Sequence, residues 1–217
     1  MNFAVVFDMD GVLMDSEPVW NSSWRKAVEE LGYLFSQPFY DQCVGRNERD
    51  TRSLFMEHYG PGFPMDAAKD RMTGYYEQQI REGIPRKPGA AEILEGLKNK
   101  GIPLALATST DRFHGEMALK TSGLFGYFDA MVFGNEVKSG KPDPEIYLTA
   151  CRRLSMAPEQ TYGVEDSYAG MRALRNAGMP ALMVPDLYPA NEEMREIACR
   201  VFATLVEAWA FLQALPA

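Results

Sequence analysis

A chain of 217 residues with 46% hydrophobic and 24% charged positions is long enough for one large domain, or for a core plus a smaller insert, and its composition excludes fibrous, disordered and membrane-spanning classes. Its formal net charge of −8, with no run of Lys and Arg, argues against a nucleic-acid binder, which needs a basic stripe to displace counterions from phosphates. An acidic protein that handles anionic substrates must therefore concentrate positive charge locally, with a metal or with a few placed Lys and Arg. The cysteines, Cys43, Cys151 and Cys199, form no CxxC pair. Neither a disulfide framework nor a zinc knuckle is expected, and a reducing cytoplasm fits best. The segment Met1 to Phe7 lacks the basic start of a signal peptide, and Asp8 cuts its apolar run short. Val201 to Leu215 contains Glu207 and is too short to span a bilayer.

Taken in chain order, Phe3 to Phe7 reads as a buried strand. From about Ser16 to Gly83 there is no strand signal, only helices. The first carries Trp20, Trp24, Ala27, Val28 and Leu31 on one stripe and ends at Gly32. The second carries Leu54, Phe55, His58 and Tyr59 and ends at Gly60, and the third starts at Asp66 and includes Met72, Tyr76 and Ile80. The segment from Gly83 to Gly89, punctuated by Pro85 and Pro88, reads as a return linker. Thereafter helix patterns over Ala90 to Lys100, Pro144 to Leu154 and Ser167 to Ala177 alternate with strand signals at Pro103 to Ala107, Ala130 to Phe133, Tyr162 to Val164 and Ala181 to Val184. Asp143 and Ser167 are the expected N-caps of the last two helices, and Gly101 and Gly178 are stop signals. This alternation predicts an α/β protein, a doubly wound parallel sheet covered on both faces, with an inserted α-helical cap domain. The expected boundaries are residues 1–15 and 85–217 for the core and 16–84 for the cap.

In open parallel sheets ligands sit outside the C-terminal ends of the strands. Here those ends are polar: Asp8-Met9-Asp10-Gly11, Thr108-Ser109-Thr110 and Glu165-Asp166-Ser167, with Gly140-Lys141-Pro142-Asp143-Pro144 following the third strand. Any one of these acids could merely cap a helix. Asp8, Asp10, Glu165 and Asp166 at two strand ends would repel one another unless a cation were present, and a hard divalent ion with oxygen ligands, Mg2+ beside a phosphate, resolves the conflict. Thr108 and Ser109 could hold an anion or act as an ordinary N-cap. Lys141 could neutralise a phosphate or be a solvated loop lysine, with Lys138 as a rival. Arg46 or Arg49 could reach a substrate phosphate or sugar hydroxyl, or be exposed loop arginines. His58 and His114 stand near no triad partner, so a core or surface place is expected for both, His58 on an apolar helix face. Trp20 and Trp24 fit the cap core or the seam between cap and core.

The run Phe7-Asp8-Met9-Asp10-Gly11-Val12-Leu13-Met14-Asp15-Ser16 resembles the first motif of the haloacid dehalogenase-like superfamily. Ala107-Thr108-Ser109 resembles its second, Gly140 to Tyr147 its third and Val164-Glu165-Asp166-Ser167 its fourth, so the resemblance covers essentially the whole chain. The resemblance implies a Rossmann-like core and roles for named residues. Asp8 would be the nucleophile that forms an aspartyl-phosphate. Asp10 would be general acid for the leaving oxygen and then general base for water. Mg2+ would be held by Asp8, the Asp10 carbonyl and Asp166, with Glu165 direct or through water. Thr108, Ser109 and Lys141 would cradle the phosphoryl oxygens, and a helical cap would close over the site and exclude water.

Within the superfamily, true dehalogenases lack a carboxylate at the place of Asp10. A phosphonoacetaldehyde hydrolase needs a Schiff-base lysine from the cap, where only Lys26 and Lys69 occur, in no motif of that kind. β-Phosphoglucomutase shares all four motifs but carries a histidine early in the first cap helix, where this chain has Trp20. The resemblance therefore implies a Mg2+-dependent phosphatase of the β-phosphoglucomutase-like and sugar-phosphate phosphatase subgroup, with a phosphosugar mutase as the alternative. The expected partner is a small phosphorylated metabolite, with no nucleic acid and no membrane. The chain is expected to act as a monomer, and selectivity is expected near Arg46.

Overall fold

The structure is a computed structural model that describes residues 3–43 and 48–216, the side chains of 48 and 49 excepted. The described elements run β1 (Ala4–Phe7), α1 (Glu17–Glu30), α2 (Gln37–Cys43), α3 (Glu48–Tyr59), α4 (Met65–Glu82), α5 (Ala90–Asn99), β2 (Leu104–Thr108), α6 (Arg112–Thr121), β3 (Ala130–Phe133), α7 (Glu145–Leu154), β4 (Thr161–Glu165), α8 (Tyr168–Ala177), β5 (Ala181–Met183), α9 (Glu192–Ile197), β6 (Arg200–Val201) and α10 (Leu205–Gln213). They fall into two units, Met1–Asp15 with Gly83–Ala217, and Ser16–Glu82.

The first unit is built on a parallel sheet of order β3-β2-β1-β4-β5-β6. β1 and β2 are buried along their whole length because both faces are covered, which is why they read as unbroken apolar runs rather than alternating ones. One face packs Val6, Ala105, Ala107 and Val132 against Ile146, Tyr147 and Ala150 of α7 and Met171 and Leu174 of α8. Alternate residues such as Val5 and Leu106 point the other way. Elsewhere in this unit α5 and α10 meet so closely that a Cβ on Gly96 would lie 2.3 Å from the Trp209 ring. The chain steps from β1 to β2 to β3 and then crosses to β4 on the far side of β1, so the strand order reverses between β1 and β4. Such a switch point opens a crevice at the carboxyl ends of the strands.

The expected caps hold with one adjustment. Ser167 Oγ accepts from Gly170 N at 3.1 Å, and Gly178 ends α8 at φ 74°. Asp143 Oδ1 accepts from Glu145 N at 2.9 Å, but the residue at the boundary of α7 is Pro144.

The second unit is all helical within the described residues. Trp20 of α1 stacks on Tyr76 of α4 with ring centroids 3.9 Å apart. Trp24, Phe39, Phe55 and Phe63 continue an aromatic interior. His58, expected on an apolar face, is exposed and stacks on Phe39 at 4.0 Å. No helix among the described residues is long and apolar enough to cross a membrane.

Candidate active site

Strand register assembles the site. Phe7 pairs with Leu106 on one side and Val164 on the other, so the residues that follow, Asp8, Ala107 and Glu165, come level at the switch point. Beyond β1 the chain turns back: Gly11 N donates to Met14 O, and Leu13 N and Met14 N both donate to Met9 O, all at 2.9 Å. Gly11 is required twice over. Its φ is +76°, and a Cβ there would lie 2.3 Å from Asp166 Oδ2. Asp10 therefore sits in a turn, and strand alternation is not what brings it beside Asp8.

Lys141 is the cation of the site. Its Nζ donates to Asp8 Oδ1 at 2.6 Å, Glu165 Oε1 at 2.6 Å and the Ala107 carbonyl at 3.2 Å, so all three of its protons are used. Its rival Lys138 is exposed. The loop that delivers Lys141 is fixed by the first turn of α7, where Glu145 Oε2 accepts from Lys138 N at 2.9 Å and Ser139 N at 3.0 Å.

Glu165 is fully buried, and five donors reach its carboxylate. Oε1 accepts from Lys141 and from Tyr147 Oη at 2.5 Å. Oε2 accepts from Asp166 N at 3.1 Å, Ser167 N at 3.1 Å and Ser167 Oγ at 3.0 Å. A carboxylate offers about four lone-pair sites. Glu165 is thus saturated as a buttress for Lys141, which makes Asp8 and Asp166 the better candidates for direct ligation of a cation. The buttress is tightly enclosed, because a Cβ on Gly170 would lie 1.8 Å from Glu165 Oε1. Gly170→Ala is accordingly expected to displace Glu165 from Lys141 and to destabilise the fold by about 3–5 kcal/mol, the range for breaking one side of a buried ion pair. Urea unfolding measures the loss, and a change under 1 kcal/mol, roughly the surface-substitution scale, would contradict this reading.

The electrostatics follow from burial. Removal from water, with the Glu165 and Asp10 charges added, pushes Asp8 up to about 7 against the pull of Lys141. Burial, and then the charges of Glu165 and Asp8, hold Asp166 well above the usual carboxylate range. Burial opposes the charge on Lys141, but Asp8 and Glu165 outweigh it and keep its proton above the ordinary lysine range. Burial alone would raise Glu165, yet Lys141 and the hydrogen bonds around it leave it below its ordinary value.

Asp8, Glu165 and Asp166 each offer an oxygen within 4.8 Å of the others. Asp166 accepts no hydrogen bond from any described residue, and the Asp10 carbonyl is not an acceptor in the turn that follows it. One lysine cannot neutralise this set, and hard oxygen donors suit a divalent cation of the Mg2+ type. The residues present therefore fit the metal that the motifs imply.

Thr108 is buried, and its Oγ1 accepts from Thr110 N at 3.1 Å and lies 3.4 Å from Asp10 Oδ2. Ser109 is exposed at the rim. Arg46 and the side chain of Arg49 lie outside the described residues. His114 pairs with Asp111 at 2.5 Å across the first turn of α6. One residue at the site escapes motif reading: Thr110 is legible only as a third hydroxyl after β2. Tyr147 closes the third motif, but its bond to Glu165 is not legible from its place as an apolar position of α7.

A family profile described as haloacid dehalogenase-like hydrolase matches residues 5–184. The chain is 40% identical over 176 residues to a phosphorylated carbohydrates phosphatase of Thermotoga maritima, covering 81% of this chain and 82% of that one. It is 27% identical to the β-phosphoglucomutase of Bacillus subtilis, over 95% of both chains. Among solved structures, CbbY of Rhodobacter sphaeroides in complex with phosphate superposes with a TM-score of 0.81 at 27% identity, over 95% of this chain and 96% of that one.

Proposed function

The chain belongs to the haloacid dehalogenase-like hydrolase family as a phosphoric monoester hydrolase, and from that premise we propose that it is a Mg2+-dependent phosphatase of small phosphomonoesters, of the sugar-phosphate class, with Asp8 as nucleophile. The observation that carries this reading is the buried Asp8 held at 2.6 Å by Lys141 at the switch point of the sheet, beside Asp166, whose carboxylate accepts no hydrogen bond from the described residues.

In the proposed first step an Asp8 carboxylate oxygen forms a bond to phosphorus as the ester P–O bond breaks. Asp10 gives its proton to the departing alkoxide, so the alcohol leaves neutral. In the second step Asp10 takes a proton from water, the water oxygen attacks phosphorus, and the Asp8–phosphorus bond breaks to return the carboxylate and release phosphate. Lys141 holds the Asp8 carboxylate in place and sets a positive charge where phosphoryl oxygens gather, while the exposed Ser109 hydroxyl and the backbone amides of the β2 turn are the proposed anion donors. Thr108 serves this turn from within, through its bond to Thr110 N. A bound cation, held by Asp8, Asp166 and the Asp10 carbonyl, would keep Asp8 ionised near neutral pH and spread the charge of the phosphoryl oxygens.

The test is a screen of phosphorylated metabolites for phosphate release with and without Mg2+. Chelation is expected to lower turnover by about a hundredfold or more, the scale of several kcal/mol of lost charge stabilisation. Mg2+ at about 100 times its Kd is expected to stabilise the protein by about 2.7 kcal/mol, read as a rise in Tm. Release of phosphate from no member of a broad panel would sink the proposal.

The match to a β-phosphoglucomutase over 95% of both chains supports a second reading, a phosphosugar mutase. Trp20 argues against it: its ring is stacked on Tyr76, and tryptophan offers no proton-transfer group where the mutase has histidine. A requirement for a bisphosphate activator, with isomerised sugar phosphate as product in place of free phosphate, would favour the mutase. We place the enzyme in a reducing cytoplasm, a reading supported by Cys43, Cys151 and Cys199, which form no disulfide with one another.

A further inference from the structure

Asp10 is held from one side only. Its Oδ2 accepts from Thr110 Oγ1 at 2.7 Å, while Oδ1 is buried and has no hydrogen-bond partner among the described residues. A buried carboxylate oxygen without a partner is uncommon, and such exceptions call for an explanation. The hydroxyls of the β2 turn are not equivalent in this respect. Thr108 Oγ1 stands 3.4 Å from the same Oδ2 and is also engaged as acceptor for Thr110 N, and Ser109 is exposed. A bond of 2.7 Å is at the mode for O–H···O contacts, whereas one of 3.4 Å is weak.

Thr110 is itself fixed at both ends of its backbone. Its N–H donates to Thr108 Oγ1 at 3.1 Å, and its carbonyl accepts from Gly134 N at 2.9 Å. Gly134 is packed so closely on this turn that a Cβ there would lie 2.0 Å from the Ser109 carbonyl. The hydroxyl aimed at Asp10 is therefore mounted on the ends of two neighbouring strands, β2 and β3, and cannot drift without disturbing both.

We propose that Thr110 is a positioning residue for the acid–base carboxylate: its hydroxyl engages Oδ2 of Asp10 as acceptor and so fixes the orientation of the carboxyl group that passes a proton to the leaving alkoxide and later takes one from water. The inference rests on the proposed phosphatase reading and deepens it, because it adds a residue to the proton-transfer step without altering the nucleophile. Its consequence depends on the leaving group. An alkyl phosphate expels a strongly basic alkoxide and needs the proton from Asp10 as the P–O bond breaks. p-Nitrophenyl phosphate expels a weakly basic phenolate and needs that proton far less. A misaligned Asp10 thus penalises the first substrate more than the second.

The experiment compares kcat/KM, which reports the steps up to phosphoryl transfer to Asp8, for an alkyl phosphate substrate found in the screen and for p-nitrophenyl phosphate. Thr110→Val removes the hydroxyl at nearly constant shape, Thr110→Ala is a second deletion, and Thr110→Ser restores the donor. In both deletions the alkyl-to-aryl ratio of kcat/KM is expected to fall by about ten- to a hundredfold, the scale of a hydrogen bond to a charged group, and Thr110→Ser is expected to return it to within about threefold of wild type. A purely structural role would lower both substrates together, so an unchanged ratio in the folded Val and Ala variants, or no rescue by Ser, would overturn the assignment. If wild-type protein hydrolyses neither ester in an Asp8-dependent way, it is the phosphatase reading that fails; an unchanged ratio on an active wild type sinks the role of Thr110 alone.

Discussion

Asp8→Asn is expected to lower kcat by about four orders of magnitude or more, the scale seen when a covalent nucleophile is removed and only binding and charge stabilisation remain. The fold is expected to survive. Asn keeps the shape of Asp8 and removes a charge whose burial is unfavourable, as the upward push to about 7 shows. Lys141 would still have Glu165 at 2.6 Å and the Ala107 carbonyl at 3.2 Å. The comparison therefore separates chemistry from stability: initial rates of phosphate release collapse while the urea midpoint moves little. Turnover within about tenfold of wild type would leave the residual chemistry far above what the loss of a nucleophile permits and would remove Asp8 from that role.

Lys141→Met is expected to damage both properties. The Lys141 side chain is 7% exposed and its Nζ lies 2.6 Å from two carboxylates, Asp8 and Glu165, which are themselves almost entirely enclosed. Methionine fills much of the same volume but leaves two acids facing each other without their cation. Removing one partner of such a group costs about 3–5 kcal/mol, most of it the penalty of an uncompensated buried charge. The sign of the pH dependence follows from Glu165, which Lys141 helps to hold below its ordinary value. A carboxyl group depressed in the folded state adds stability above its unfolded pKa and loses it as pH falls through the folded one. The deficit of the variant should therefore be full at about pH 7 and smaller at about pH 4, where protonation relieves the unpaired acids. Activity should fall as well, because Asp8 loses the group that fixes its carboxylate. Equal urea midpoints for the two proteins at neutral pH would show that Lys141 contributes nothing to the fold.

The strand ends were the most legible part of the molecule. Phe3 to Phe7 and Pro103 to Ala107 read as buried strands because both faces of β1 and β2 are covered. Gly178 and Ser167 punctuate α8 where local chemistry demands, through a positive φ and a hydroxyl cap. The missed elements lack such signals. β6 is a pair of exposed residues, Arg200 and Val201, held in the sheet by its neighbour β5 and by nothing in its own composition. α6 has Gly115 in its interior, a helix-weakening residue tolerated because a Cβ there would come within 2.7 Å of the Phe133 ring. α2 is seven residues long, too short for a periodic stripe to emerge.

At the site, residue types were readable but their pairing was not. That Lys141 reaches Asp8, 133 positions away, and that Lys138 does not, follows from sheet register and from the Glu145 side chain that ties down the intervening loop. Spacing in the sequence carries neither fact. Glu165 reads by residue type as a candidate metal ligand beside Asp166, and one of its oxygens does lie within 4.8 Å of oxygens of Asp8 and Asp166. Five hydrogen-bond donors at its carboxylate also make it the anchor of Lys141, a role that only the packing of Tyr147, Ser167 and Gly170 around it could reveal.

Covalent capture of the phosphorylated enzyme tests the central claim most directly. Wild-type protein mixed with a turned-over phosphomonoester and Mg2+, quenched in acid within the first turnovers and digested for mass spectrometry, is expected to carry one phosphoryl group on the peptide that contains Asp8. That group should be released by hydroxylamine, as an acyl phosphate is, and should be absent from Asp8→Asn. Phosphate release at full rate with the Asp8 peptide never modified, or with the phosphoryl group on another residue, would contradict the assignment of Asp8 as the nucleophile.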